Sequence, residues 1–170
     1  IEGILSGTLS YIFNSFSDTK PFSEVVLEAK AKGYTEPDPR DDLSGSDFAR
    51  KLVILARESG LSSQRPLELK DVRIEPLLPM ELQSGTVDEF IAKLPSLDGP
   101  MARLAAEAKA SGERLRYVGR INRDGTAEIS LKRYPQNHPF AQTQSTDNIV
   151  AFTTKRYSAQ PLVVQGPGAG

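Results

Sequence analysis

The sequence has no cysteine. That absence removes disulfide frameworks, thiolate metal sites and cysteine nucleophiles together, and it fits a reducing compartment. Net charge is also lacking: 21 basic residues face 22 acidic ones, for a formal −1. Nothing there recommends a nucleic acid or an anionic membrane as partner. No apolar run approaches the length of a membrane span, and no secretory signal is visible. The expected location is therefore cytoplasmic. The only histidine, His138, is followed by Pro139 and Phe140 and reads as a loop or packing residue. What remains is an ordinary globular composition, 38% hydrophobic and 25% charged over 170 residues, long enough to bury a real core. The chain opens at Ile1-Glu2-Gly3 without methionine. It closes on Gly166, Pro167, Gly168, Ala169 and Gly170, and glycines of this kind usually join two elements. We read it as a piece of a longer protein.

Apolar periodicity divides the chain into a helical first part and a β-rich second part. Leu5, Leu9, Ile12, Phe13 and Phe16 have helical spacing over 4–16, with Ser6, Gly7 and Thr8 at the opening, where free backbone N–H groups gather. Phe22, Val25, Val26 and Ala29 mark a second helix over 22–32, stopped by Gly33. A proline-bearing loop follows over 34–42. A third helix is predicted from about Leu43 to Ser59, with Phe48, Leu52, Leu55 and Ala56 as its packed stripe. Segment 72–78 reads as a short strand or extended connector, and 87–93 and 101–110 as helices. Strands are predicted over 114–121, 127–134, 149–157 and 162–165, the first two joined by a turn at Asn122-Arg123-Asp124-Gly125. Tyr117, Ile129, Leu131, Val150 and Phe152 should form the buried face. Arg114, Arg116, Arg120, Lys132 and Arg133 should line a solvated one. The pattern argues for an α+β domain, with helices packed on a mainly antiparallel or mixed β-sheet.

The densest chemistry lies between Tyr34 and Lys51. Glu36, Asp38, Asp41, Asp42 and Asp47 put five carboxylates within twelve residues. Pro37 and Pro39 fix their own φ angles and bias Glu36 and Asp38 toward extended backbone, so the acidic loop should be stiff. A stiff acidic loop can hold a cationic group in fixed geometry. Asp47 and Lys51, four apart on one helix face, are in the favourable order for an ion pair. A bland reading is open beside the functional one: a surface salt bridge plus Asp41 or Asp42 as a helix N-cap. A calcium loop is a third reading, but the spacing misses the EF-hand pattern and prolines interrupt it.

The run Gly33 to Lys51, GYTEPDPRDDLSGSDFARK, closely resembles the signature of homoserine dehydrogenases. The stretch Gly3 to Asn14 resembles the family's segment just upstream. Arg114 to Gly119, His138-Pro139-Phe140, Lys155-Arg156-Tyr157 and the closing glycine run also match, most like the fungal form. The resemblance covers nearly the whole chain.

That resemblance implies an NAD(P)-dependent oxidoreductase interconverting L-homoserine and L-aspartate 4-semialdehyde, in threonine and methionine biosynthesis. Residues 1–170 would be its substrate-binding, catalytic and dimerisation domain, without the Rossmann half. Lys51 is the expected proton donor and acceptor, and Asp47 orients it beside the substrate hydroxyl. Glu36 and Asp42 are expected to bind the substrate ammonium, Tyr34 to line the pocket, and Gly7 and Thr8 to contact the substrate carboxylate. Gly166, Gly168 and Gly170 match the stretch that approaches the nicotinamide of NADP(H) or NAD(H). The family's second active-site lysine and its monovalent-cation site lie upstream of these residues, so no metal is expected here, and the piece alone is expected to be inactive. The expected partner is a second copy, a homodimer formed through the β-sheet. A scaffold that only dimerises is the alternative reading. It has no need for Glu36, Asp42, Asp47 and Lys51 together.

Overall fold

The computed structural model describes residues 1–61 and 66–168. In chain order they form β1 (Glu2–Ile4), α1 (Gly7–Ser15), α2 (Phe22–Ala31), α3 (Pro39–Leu43), α4 (Ser46–Glu58), β2 (Val72–Ile74), α5 (Val87–Lys93), α6 (Asp98–Ala110), β3 (Glu113–Ile121), β4 (Ala127–Pro135), β5 (Asp147–Phe152) and β6 (Leu162–Pro167), with short 3-10 turns between them. The strands make one sheet in the order β2-β4-β3-β1-β5-β6. Every pairing is antiparallel except β2 with β4. This is the α+β, mixed-sheet class that the sequence predicts.

The sheet buries both faces. One packs under the helices, where Leu9, Ile12, Phe22, Val25, Val26, Leu52 and Leu94 meet Tyr117 and Ile129 in a single core. The other buries Ile4, Val118 and Ile149 beneath Phe140 and Ala141 of the turn Pro139–Gln142. Strand alternation sorts the residues between these faces. His138 has the packing role expected of it: its Nδ1 accepts from Phe140 N at 3.1 Å, and its ring lies against Tyr134.

One glycine sets the distance between helices and sheet. A Cβ on Gly119 of β3 would stand 2.9 Å from Phe48 Cε2 and 3.0 Å from Leu52 Cδ1. Both neighbours belong to α4, so the bare backbone of β3 lets α4 lie close against it.

Several expectations are corrected. The third helix starts later than predicted, at Ser46, because a separate short helix, α3, precedes it and the two are broken at Gly45, which takes φ 72°. The break is forced by what lies below it: a Cβ there would meet Tyr117 Oη at 3.1 Å and Ile74 Cγ2 at 3.3 Å. The proline loop is shorter than predicted, because Pro39 occupies the first turn of α3, where its missing N–H costs nothing. The cap of α3 is Asp38, not Asp41 or Asp42. Its side chain accepts from Arg40 N, while α4 has Gly45 at its N-cap and no side-chain cap. Segment 149–157 is strand only to Phe152, and Leu131, Val150 and Phe152 are half-buried. Gly170 lies outside the described residues.

The largest correction is Arg116. It is 2% exposed rather than solvated. Its guanidinium donates to Phe140 O, Phe13 O, Leu115 O and Ala141 O at 2.7–2.9 Å. It therefore tethers the last turn of α1 and the 139–142 turn to β3, set against the negative ends of two helical segments. Burial, and then the charge of Arg114, lower its pKa to about 10, so it stays charged at neutral pH. Arg116→Ala should remove the guanidinium from four carbonyls, of which Phe140 O keeps the Thr143 hydroxyl as a donor, and cost on the order of 3 kcal/mol, read as a lower denaturation midpoint in urea. Arg116→Lys should fail to restore it, because an ammonium lacks the planar fork.

Candidate active site

The predicted residues come from α1, the loop after α2, α3 and α4. Helix α1 begins where Ser6 caps it, accepting from Leu9 N at 3.2 Å. The N–H groups of Gly7 and Thr8 are then left without intrahelical acceptors. A Cβ on Gly7 would stand 3.3 Å from Thr146 O, so α1 starts against the turn leading into β5. Two bonds hold that turn: Asn14 Nδ2 donates to Ser145 O at 3.0 Å, and Ser10 Oγ donates to Asp147 O at 2.7 Å.

Helix α2 ends at Gly33, φ 72°, with Tyr34 N returning to Ala29 O. This turn delivers Tyr34 to α1. The Thr8 hydroxyl donates to Tyr34 O at 2.5 Å, and the Tyr34 ring meets Tyr11 edge-on at 5.0 Å. Asp42 Oδ2 then accepts from Glu36 N at 2.9 Å. Thr8, Tyr34, Glu36 and Asp42 therefore form one cluster at the start of α1. Burial raises the Asp42 carboxyl above its ordinary value. The Glu36 N–H and the Thr8 hydroxyl oppose that, and the charges of Glu36 and Asp41 reinforce it. A half-buried carboxylate held beside other acids favours arrival of a cation.

The five acids do not act alike. Asp38 is engaged by Arg40, whose Nη2 lies 2.6 Å from Asp38 Oδ2 and whose Nη1 donates to Gly85 O. That pair staples α3 and lowers the Asp38 carboxyl. Among the described residues no three acidic or histidine side chains converge on a point that could hold a metal ion, which removes the observation a calcium loop would need.

Asp47 and Lys51 form the second group. Lys51 Nζ lies 2.9 Å from Asp47 Oδ2, with the side chains 48% and 58% exposed. An exposed i,i+4 pair contributes only about 0.3–0.5 kcal/mol, so it orients Lys51 without locking it. Helix α3 packs against both α1 and α4 and so carries the acid cluster beside this pair. No hydrogen bond or ion pair joins the two groups among the described residues. A cleft of about 420 Å³ lies instead at the far end of α1, between Asn14, Lys109, Arg114 and Gln136, and includes none of these side chains.

Gly166 and Gly168 close the chain's described part on and just after β6. Gly166 pairs with Asn148 of β5, and a Cβ on it would meet nothing within 4 Å. A Cβ on Gly168 would stand 3.0 Å from Asn148 Nδ2. Asn148 Oδ1 is buried and has no hydrogen-bond partner among the described residues. An open glycine edge beside an unsatisfied acceptor fits a planar group that carries an N–H donor. Sequence reasoning missed Asn148. The available signal was a carboxamide placed two residues before Val150, on that residue's face of the strand.

The homoserine dehydrogenase family model matches residues 1–170. The chain is 59% identical over 174 residues to a maize chloroplastic bifunctional aspartokinase/homoserine dehydrogenase, covering all of this chain and 18% of that protein. It is 47% identical over 177 residues to the homoserine dehydrogenase of Schizosaccharomyces pombe, covering all of this chain and 46% of that protein. A crystal structure of a Candida auris protein of unknown function superposes with a TM-score of 0.90 at 43% identity, over 99% of this chain and 48% of that one. The chain thus spans under half the length of these curated relatives.

Replacing the half-buried carboxyl tests the acid cluster. The Asp42 pKa is raised in the folded state, so its protonated form stabilises the fold on the acid side, and that benefit is lost as pH rises through the raised value. At neutral pH, Asp42→Asn should therefore raise the melting temperature of the ligand-free protein. The difference should close on acidification. Affinity for an ammonium-bearing ligand should fall by on the order of tenfold, measured by calorimetry.

Proposed function

We propose, on the premise that the chain belongs to the homoserine dehydrogenase family, that residues 1–170 supply the substrate-binding and proton-transfer half of an enzyme interconverting L-homoserine and L-aspartate 4-semialdehyde. The observation that carries this reading is the cluster of Thr8, Glu36 and Asp42 at the start of α1 beside the Asp47–Lys51 pair on α4. The dinucleotide-binding part belongs to the length of the relatives that this chain does not match.

Each residue takes a role that its surroundings support. Glu36 and Asp42 receive the substrate ammonium, whose charge offsets the cost of an ionised Asp42. The N–H groups at the start of α1, at Gly7 and Thr8, meet the substrate carboxylate. Tyr34 walls the pocket from the α2 side. The Lys51 ammonium gives a proton to the aldehyde oxygen as it becomes a hydroxyl, and takes it back in the reverse direction. Asp47 holds Lys51 over that oxygen. A nicotinamide dinucleotide, NADP(H) or NAD(H), supplies or accepts the hydride when bound, with Gly166 and Gly168 along its ring. Threonine and methionine biosynthesis in the cytoplasm is the setting we propose.

A homodimer through the sheet belongs to the same reading. Strand β6 is an edge strand that exposes Leu162, Val163 and Val164, an apolar edge of the kind a second sheet covers.

Lys51→Ala in the longer enzyme should lower kcat by roughly 10²–10⁴-fold while size-exclusion chromatography shows an unchanged assembly. Activity that instead follows only loss of the assembly would favour a scaffold role for these residues.

A further inference from the structure

Asn148 is the one described residue with a buried side-chain acceptor left unpartnered. Its neighbours in the same segment are all engaged. Ser145 O accepts from Asn14, Asp147 O from Ser10 Oγ and Asp147 Oδ2 from Gln165 Nε2, and Asp147 N donates to Gln144 O. Ser145 is held at φ 50°, outside the usual range for a side chain of its kind. These bonds hold the backbone that carries Asn148.

Register gives its direction. Ile149 and Ala151 lie in the core on the far face of the sheet, while Val150 packs toward the helices. Alternation puts Asn148 on the Val150 face. This is the face that α4 crosses at Gly119 and against whose β5 end α1 begins. On the β6 side Asn148 is bordered by Gly166 and Gly168, where side chains are absent and a Cβ on Gly168 would stand 3.0 Å from Nδ2.

A buried acceptor without a donor is unfavourable and uncommon, and at such positions the missing donor is usually a ligand or water. The chemistry narrows the donor. In the proposed reaction the amino acid offers an ammonium, assigned above to Glu36 and Asp42, a carboxylate, and a carbonyl or hydroxyl oxygen, assigned above to Lys51. The nicotinamide carboxamide offers an N–H donor and an acceptor on one plane, the complement of an asparagine side chain. We propose that Asn148 is a positioning residue for the dinucleotide: its Oδ1 accepts from the nicotinamide carboxamide and holds the ring against the glycine edge of β6. The inference rests on the dinucleotide reading given above, and it assigns to β5 a residue that selects the nicotinamide end of the molecule.

The test uses the longer protein with its nucleotide-binding part, as wild type, Asn148→Leu and Asn148→Ala. Two readouts are needed: the melting temperature without ligand, and calorimetric Kd values for the oxidised dinucleotide and for the matching ADP-ribose, which lacks nicotinamide. A positioning role predicts that Asn148→Leu melts no lower than wild type, since it removes an unsatisfied buried acceptor. It also predicts that both variants lose about tenfold in dinucleotide affinity, roughly one charge-neutral hydrogen bond, with ADP-ribose affinity unchanged. Equal weakening of both ligands, or a lower melting temperature with dinucleotide affinity intact, would overturn it in favour of a structural role. A wild type that binds the dinucleotide no better than ADP-ribose would sink the underlying dinucleotide reading instead, and so separates the two failures.

Discussion

The Arg116 guanidinium is the interaction on which the placement of the site depends. It is a cation shut inside the sheet's far face, with no ion pair among the described residues, satisfied by four backbone carbonyls. Those carbonyls come from β3, from the last turn of α1 and from the turn at Pro139–Gln142. One side chain therefore fixes the end of α1 relative to the central strands. The bonds from Ser10 and Asn14 fix its flank against the segment entering β5. With its end and flank held, α1 points its first turn toward Tyr34, Glu36 and Asp42. The N–H groups of Gly7 and Thr8 take their position from the anchoring of the opposite end of the same helix.

The acidic segment shows how one run of similar residues is divided among tasks by its neighbours. Asp38 caps α3 and binds Arg40, and so stiffens the loop. Asp42 turns inward, where burial makes its charge costly and a cationic guest welcome. Asp47 faces outward on α4 and only guides Lys51. Gly45 separates the last two by forcing a left-handed turn above Tyr117. Gly45 thus divides the half-buried Asp38 and Asp42 of the first helix from the exposed Asp47 of the second.

The helices, the later strands and the β3–β4 hairpin were legible from apolar periodicity, because Val25, Val26, Leu52 and Ile129 obey the period of the element they occupy; the three-residue β1 and the other pairings were not. Composition and spacing left the acidic segment open between a solvated helix start and a binding loop. Its resemblance to homoserine dehydrogenases supplied the roles. Three features were hidden for a physical reason. Arg116 alternates with apolar residues as a solvent-facing arginine would, and only the fold reveals a lid of carbonyls over it. The Gly45 break depends on the distance to Tyr117, a contact between distant parts of the chain. Asn148 is distinguished by a bond it does not make, and no pattern of residue types encodes that.

The sheet order has a consequence for how the molecule assembles in time. β1 is three residues long and sits at the centre of the sheet, between β3 and β5. Its partners, Arg120 on one side and Ile149 to Ala151 on the other, lie more than a hundred residues further along the chain. On a ribosome, residues 2–4 must wait for both neighbouring strands to emerge before they have anything to pair with. Closing so long a loop is entropically slow. Until it closes, the β3–β4 hairpin and the β5–β6 hairpin are separate ribbons with open inner edges. The seam at β1 joins them, and Gly3 suits it, since a Cβ there would collide with Ile149 O at 2.7 Å. This three-residue strand is thus the last stitch, and folding yield should be most sensitive to changes there.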